Sequence, residues 1–345
     1  MSGLKQLRSR IKSITTTQKI TKAMQIVSAT KFTKAKNQVK DSEDYIGILQ
    51  GIMSSVASSN NLQYLPIEQK KFFSEGLLEQ GDLNRPLAEF ASAREFAEAT
   101  ERRTAAYLSV REDSSTGATH KLPAEVELCK RSNINKSHLL IVVTSERGLC
   151  GAFNFLLSKQ VKSDIANLEN AGKQVRLIII GKKGYDAFKG QYSHYIDDYY
   201  EFPKAHNNNL SFQIKKKLME MVEDSRISNC QIYFNNCKNA MIQIPTKKQI
   251  LPIEKQLCSN EKYLSYEYEG EGLILHMINL YVSAQINYAL LQNRASEEGA
   301  RMTAMDNATK NAKELINKLT LKLNRSRQDM ITKDLIEIIA GAEAV

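Results

Sequence analysis

The chain has 345 residues, of which 42% are hydrophobic, and carries a formal charge of +10. That length suits two domains, or one domain with an elongated element. No run of about 18 uncharged apolar residues is present to span a bilayer, and basic and polar residues separate Leu4, Leu7, Ile11 and Ile14, so a signal peptide's apolar centre is lacking.

The charge is concentrated at one end. From Met1 to Lys40 there are ten lysines and arginines and no aspartate or glutamate, which leaves 38 basic against 38 acidic residues in the rest of the chain. Such a segment is either a solvated helix face or a surface that meets an acidic partner: nucleic acid, an anionic membrane surface or acidic protein loops. Only Phe32 is interleaved as an aromatic, which weakens the single-stranded nucleic-acid case. Leu4, Leu7, Ile11, Ile14, Ile20, Met24, Val27, Ile46, Leu49, Ile52 and Val56 follow a helical period with shifts of phase, so residues 1–59 are expected to form one long helix.

Residues 60–131 read as a linker. Between Ser74 and Val126 the chain is rich in alanine, glutamate and arginine, and Gly76, Gly81, Gly117 and the run from Asp113 to Gly117 break it, with weak helix expected from Pro86 to Arg103.

A central α/β domain is expected over 132–268. Leu139 to Val143 is a continuous apolar run of the kind found in a buried parallel strand. A helix is expected to about Asn170, then the strand Val175–Ile180 closed by Gly181 to Gly184, which implies a right-handed crossover. A helix from Leu210 to Val222, a strand at Gln231–Phe234 and three further strands at 240–244, 249–253 and 263–268 complete it. Asp197, Asp198 and Glu201, set among tyrosines, read as a solvated loop.

Gly148 and Gly151 follow a strand, which raises the possibility of a nucleotide site. The signal is poor, because G-x-x-G is not the G-x-G-x-x-G fingerprint and no G-x-x-x-x-G-K-[ST] exists. The five histidines show no ligand spacing. The five cysteines, Cys129, Cys150, Cys230, Cys237 and Cys258, form no C-x-x-C pair, so they are expected to be reduced and buried, with neither a disulfide framework nor a zinc site.

Residues 269–345 read as a second long helix, since neither proline nor glycine occurs between Arg301 and Ala340. Leu273, Met277, Leu280, Ala284, Asn287 and Leu291, then Met302, Met305, Ala308, Ala312, Leu315, Leu319 and Leu323, recur at helical steps as one stripe. At about 1.5 Å per residue it would span roughly 100 Å, wider than any compact domain. Two elongated amphipathic helices at opposite ends of a chain can cover each other, so an irregular antiparallel coiled coil is expected. The fold class is mixed α+β and α/β, a long coiled coil with a central Rossmann-like domain.

Four blocks carry a resemblance. They are Thr17 to Met24 (TQKITKAM), Glu146 to Asn154 (ERGLCGAFN), Asn235 to Ala240 (NNCKNA), and the C-terminal run through Ala300-Arg301-Met302, Arg327-Gln328, Ile331-Thr332 and Gly341-Ala342. Together they resemble the gamma subunit of bacterial F-type ATP synthases, with Glu146 and Phe153 in place of the family's aspartate and tyrosine. The resemblance implies a non-catalytic central-stalk rotor that couples proton flow to ATP synthesis or hydrolysis. Its partners would be the alpha and beta subunits of the ring, the epsilon subunit and the membrane c-ring, with no nucleic acid. It implies no cofactor, metal or nucleotide, and a peripheral place on the cytoplasmic face of the bacterial plasma (inner) membrane. Partner contacts would fall on Lys19, Lys22, Met24, Arg301, Arg327, Gln328 and Thr332. Residues 77–125 have no counterpart in the family pattern; they resemble an inserted element, expected to be mobile and dispensable. They contain no cysteine, so thiol switching is not expected.

Overall fold

A computed structural model describes residues 2–58, 72, 137–202, 209–224, 226–253 and 272–343. The readings for 60–131 (apart from Phe72), the inserted segment 77–125, the strand at 263–268, Cys129, Cys258, His120 and His206 lie outside those residues.

Helix α1 spans Ser2–Ser58 and helix α5 spans Leu273–Glu343, 57 and 71 residues. They run antiparallel. Thr21 faces Thr309, Gln25 faces Asp306 and Glu43 faces Tyr288, so the number on one helix falls as the other rises. The seam on α1 is regular, a correction to the phase shifts expected from its apolar residues. Positions 4, 7, 11, 14, 18, 21, 25, 28, 32, 35, 39, 42, 46, 49 and 53 are all buried or half-buried, in strict alternation of three and four residues. That heptad period of 3.5 is the condition for a left-handed supercoil. Its stretch from Gln18 to Ser28 is polar, so counting apolar side chains loses the register there. Ile20 and Val27, expected on the seam, are instead 55% and 53% exposed.

On α5 the seam passes through Met305, Thr309, Ala312, Ile316, Leu319, Leu323, Ser326 and Met330. Ile316 takes the place expected for Leu315, which is 40% exposed. Nearer its start, from Ile278 to Arg301, α5 is buried almost all round because α1 covers one side and a sheet covers the other. Beyond Met330 it has no cover from α1, and every residue from Ile331 to Gly341 is exposed. The last dozen residues thus project about 20 Å past the start of α1.

The sheet has five strands: β1 (Ser137–Val143), β2 (Val175–Ile180), β3 (Ile196–Tyr200), β4 (Ile227–Cys237) and β5 (Gln243–Leu251). Their order is β3-β2-β1-β4-β5; the first four are parallel and β5 is antiparallel to β4. Helices α2 (Phe153–Asn170), α3 (Lys182–Phe188) and α4 (Asn209–Glu223) connect them. Three corrections to the expected elements follow. Asp197 and Asp198 lie on strand β3, where Arg176 and Lys217 pair with them at 3.3 and 3.1 Å. Gly181 to Gly184 begins helix α3, and the two tail strands join into the single β5.

Alternation sends the side chains of β1 to two cores. Leu140 and Val142 pack with Leu157, Val161 and Ile165 of α2. Leu139, Ile141 and Val143 pack with α4 and with Ile278, Val282 and Ile286 of α5, joined by Ile46, Leu49 and Met53 of α1. One of the two helical layers over the sheet is therefore the base of the coiled coil itself. Cys150 and Cys230 are buried free thiols and Cys237 is half-buried. Burial pushes the Cys230 thiol far up, which leaves it an inert packing residue.

Candidate partner-contact site

In a doubly wound sheet the ligand crevice lies outside the C-terminal ends of the strands, where the order reverses, here between β1 and β4. In this chain that crevice is filled from within. Asn293 of α5 donates through Nδ2 to the Thr144 carbonyl at 3.4 Å and accepts from the Asn235 amide at 3.3 Å, while the Ser296 hydroxyl donates to the Asn235 carbonyl at 2.7 Å. Ala300 packs on Cys150 of the loop after β1 and on Phe153 at the start of α2.

The glycines and amides near the crevice also turn inward. Gly181 has φ +97°, and a Cβ there would stand 2.6 Å from the Thr144 carbonyl oxygen. The backbone of Gly184 donates to Thr144 Oγ1 at 2.9 Å. The amide of Lys182, at the start of α3, and that of Phe202 both donate to Glu146 Oε2, at 3.1 and 3.2 Å. A carboxylate of the chain thus occupies the donors that a phosphate would need. The loop that follows is a folded turn: Leu149 and Gly151 take φ +65° and +62°, and Asn154 accepts from the Ser145 amide at 3.0 Å.

Beside this turn, α1 and α5 frame an open groove of about 510 Å³ lined by Met24, Val27, Lys31, Leu149, Arg294 and Arg301. Met24 is half-buried and lines the same cavity as Arg301. Arg301, expected to face a partner, is held within its own chain. Its side chain is 7% exposed, bonded to Glu297 Oε1 and, at 3.0 Å, to Glu298 Oε2. The reason is spacing: three and four residues along a helix put both carboxylates under one guanidinium fork. Burial raises the Glu297 carboxyl above its usual range, and Arg301 draws it back part of the way. The sequence reading missed this trio, although the run Ser296-Glu297-Glu298 followed by Arg301 carries the signal.

Lys19 and Lys22 are exposed on α1, and Lys22 reaches Gln25 at 3.2 Å. Arg327, Gln328 and Thr332 are exposed on α5, far from the groove, so the expected contact residues fall into two sets along the shaft. Among the described residues no cluster of ligating side chains could hold a metal ion, and no helix is long and apolar enough to cross a membrane.

Comparison with known proteins decides the family. A model of the ATP synthase family, ATP-synt, matches residues 3–345. Two relatives named ATP synthase gamma chain, from Rickettsia bellii and Rickettsia typhi, are 51% and 52% identical, each over the whole of both chains. This chain belongs to the ATP synthase gamma-chain family.

Among solved structures, a chain in the Euglena gracilis mitochondrial ATP synthase (OSCP/F1/c-ring, rotational state 3) shares this fold with a TM-score of 0.58 at 17% identity, covering 99% of this chain and 94% of its own. A second, in the rotor of the same organism's enzyme, reaches 0.55 at 15% identity. The gamma-chain relatives from Rickettsia bellii align end to end over 346 residues, so the length that includes 77–125 is shared with them. In this chain the sheet grips the chain's own helix at the crevice.

Proposed function

We propose that this chain is the rotating central stalk of a bacterial F-type ATP synthase, a non-catalytic subunit on the cytoplasmic face of the plasma membrane that couples proton flow to ATP synthesis or hydrolysis. The observation that carries the reading is the shape of α5, a 71-residue helix whose base is locked into a sheet and whose tip stands free. Within a ring of three alpha and three beta subunits, such a shaft is asymmetric. Each orientation offers each catalytic subunit different contacts, and only a difference in contact energy can change its affinity for ADP, phosphate and ATP. The sheet end would rest on the epsilon subunit and the membrane c-ring.

The lysines of α1 suit acidic loops of the ring, with each exposed pair worth only about 0–1 kcal/mol. Many weak contacts allow a bearing to slip. At the tip, Ile331, Leu335, Ile336, Ile338 and Ile339 are each at least half exposed, a surface that a close apolar sleeve would cover without fixed ion pairs. Co-purification with alpha, beta and epsilon chains is the test of the assignment. A chain that assembles with none of them would overturn it.

Three variants probe the contact sets in the assembled complex. Replacing Met24 by lysine adds a cation to the groove that already holds Lys31, Arg294 and Arg301. Surplus charge-assisted bonds to acidic loops would raise the cost of each rotational step. ATP-driven ion pumping should then fall more than ATP hydrolysis, and equal losses would count against the assignment. Replacing Arg327 and Gln328 together by alanine should change folding stability by only about 0.5 kcal/mol, since both are exposed, yet should lower ATP turnover. Deleting residues 338–345 should leave substantial turnover. Full activity in the double alanine variant, or none after the deletion, would reverse the roles of tip and polar pair.

A further inference from the structure

Beyond Tyr233, strand β4 runs on without its neighbour: pairing with β1 ends at Val142 and Tyr233, while pairing with β5 continues to Cys237. The edge of β4 that faced β1 is thereby opened at Asn235 and Cys237, and α5 closes it with side chains. The Asn235 amide donates to Asn293 Oδ1 at 3.3 Å, its carbonyl accepts from Ser296 Oγ at 2.7 Å, and the Cys237 amide donates to Gln292 Oε1 at 3.2 Å. Two turns beyond Ser296, Thr303 Oγ1 donates to the Ala240 carbonyl at 3.1 Å.

Positions 292, 296, 299 and 303 share one face of α5, so the helix acts as a surrogate strand along β4. Asn293, Ser296 and Gln292 are 0%, 0% and 2% exposed. Gly299 permits the approach, since a Cβ there would stand 3.2 Å from the Ala240 carbonyl. The other helix is held differently. Helix α1 joins the domain core through apolar Ile46, Leu49 and Met53, and its ties at Thr21, Gln25 and Glu43 run to α5. Apolar packing is non-directional and resists sliding less than bonds of fixed geometry.

We infer that the Asn293, Ser296 and Gln292 side chains, seated on the open edge of β4, form the clasp through which torque passes between the sheet domain and the shaft, with α5 rather than α1 as the driven helix. These are positioning residues, and the inference rests on the rotor reading above. Weakening the clasp should soften the joint about the shaft axis while leaving the surfaces that meet the ring unchanged.

The test uses the assembled, membrane-reconstituted complex with Ser296→Ala, Ser296→Thr and, as a milder change at the end of the clasp, Thr303→Val. Two quantities are read: the angular fluctuation of a bead on the sheet domain while the ring is stalled, and ATP-driven ion pumping relative to ATP hydrolysis. Ser296→Ala is expected to broaden the fluctuation and to lower pumping per ATP about 2- to 30-fold, with hydrolysis nearly unchanged and Ser296→Thr restoring both. Thr303→Val should move both quantities the same way by less. If Ser296→Ala fails to assemble, Thr303→Val carries the test alone. Wild-type fluctuation and pumping in variants that are merely less heat-stable would overturn the clasp. If the unaltered complex hydrolyses ATP with no rotation of the bead, the rotor reading itself fails, a result distinct from a rigid joint in the variants.

Discussion

Arg301→Ala should destabilise the purified chain by about 3–5 kcal/mol in urea unfolding, the largest effect expected of any single substitution at the groove. The arginine side chain is 7% exposed and Glu297 and Glu298 are 10% and 12% exposed, so its removal strands two carboxylates away from water. Truncating one partner of a buried pair leaves the other charge uncompensated, which costs far more than the pair is worth. Replacing Arg301 by methionine together with Glu297 and Glu298 by leucine and glutamine should therefore cost less than Arg301→Ala alone. A triple variant that is less stable than the single one would show that the guanidinium has another role.

The loss should depend on pH with a definite sign. Burial already sets the Glu297 carboxyl above its ordinary value of 4.5, and loss of Arg301 raises it further. A carboxyl whose folded pKa exceeds its unfolded one binds its proton more tightly in the native state. Stability is then greatest below the unfolded value and is lost as pH rises through the folded one. The deficit of Arg301→Ala should thus be smallest below the ordinary value of 4.5 and grow as the pH rises above it. A deficit that is flat over that window would mean the carboxylates have found other partners.

Gly181→Ala should cost about 4 kcal/mol, from about 1–3 for the backbone conformation and about 1–3 for overpacking. Its φ of +97° is one that L side chains rarely adopt, and the new Cβ would stand 2.6 Å from the Thr144 carbonyl oxygen and 2.8 Å from Thr144 Oγ1. Thr144 has no room to retreat. Its amide and hydroxyl both donate to the Ile180 carbonyl, at 2.8 and 2.9 Å, and its hydroxyl accepts from the Gly184 amide. Gly172 is the internal control. It has φ +68° but nothing within 4 Å of its Cβ position, so Gly172→Ala should show the conformational part alone, about 1–2 kcal/mol. Equal losses at the two glycines would refute the steric argument. The fault at Gly181 would fall where β1, β2 and α3 meet, directly beneath the place where Asn293 enters.

What the sequence disclosed follows physical rules, and so does what it hid. Val175–Ile180 was readable to the residue because a strand covered on both faces is apolar, here with the half-buried Arg176 as its one charge, and it ends at a glycine. Strand β3 was not, because IDDYY at a sheet edge presents its acids to solvent, and only the fold brings Arg176 and Lys217 to pair with them. The coiled coil was legible from its length, but its register was not. Thr21 bonded to Thr309 at 2.7 Å and Gln25 to Asp306 at 2.9 Å satisfy their groups within the seam, so polar residues hold heptad positions that an apolar count passes over. Met24 and Arg301 line one groove. The inward turn of Arg301 depends on Glu297 and Glu298, whose part becomes plain only once burial is known.

As a rotor, the helical pair would turn as a shaft driven by the ring that encloses it. The direct measurement is to fix the alpha and beta subunits to a surface, attach a bead to the sheet domain of this chain, and follow its angle while ATP is supplied. Rotation in one sense, pausing at three positions per turn set by three catalytic subunits, is the predicted result. A bead that keeps a fixed angle while ATP is consumed at the normal rate would rule out a rotating shaft.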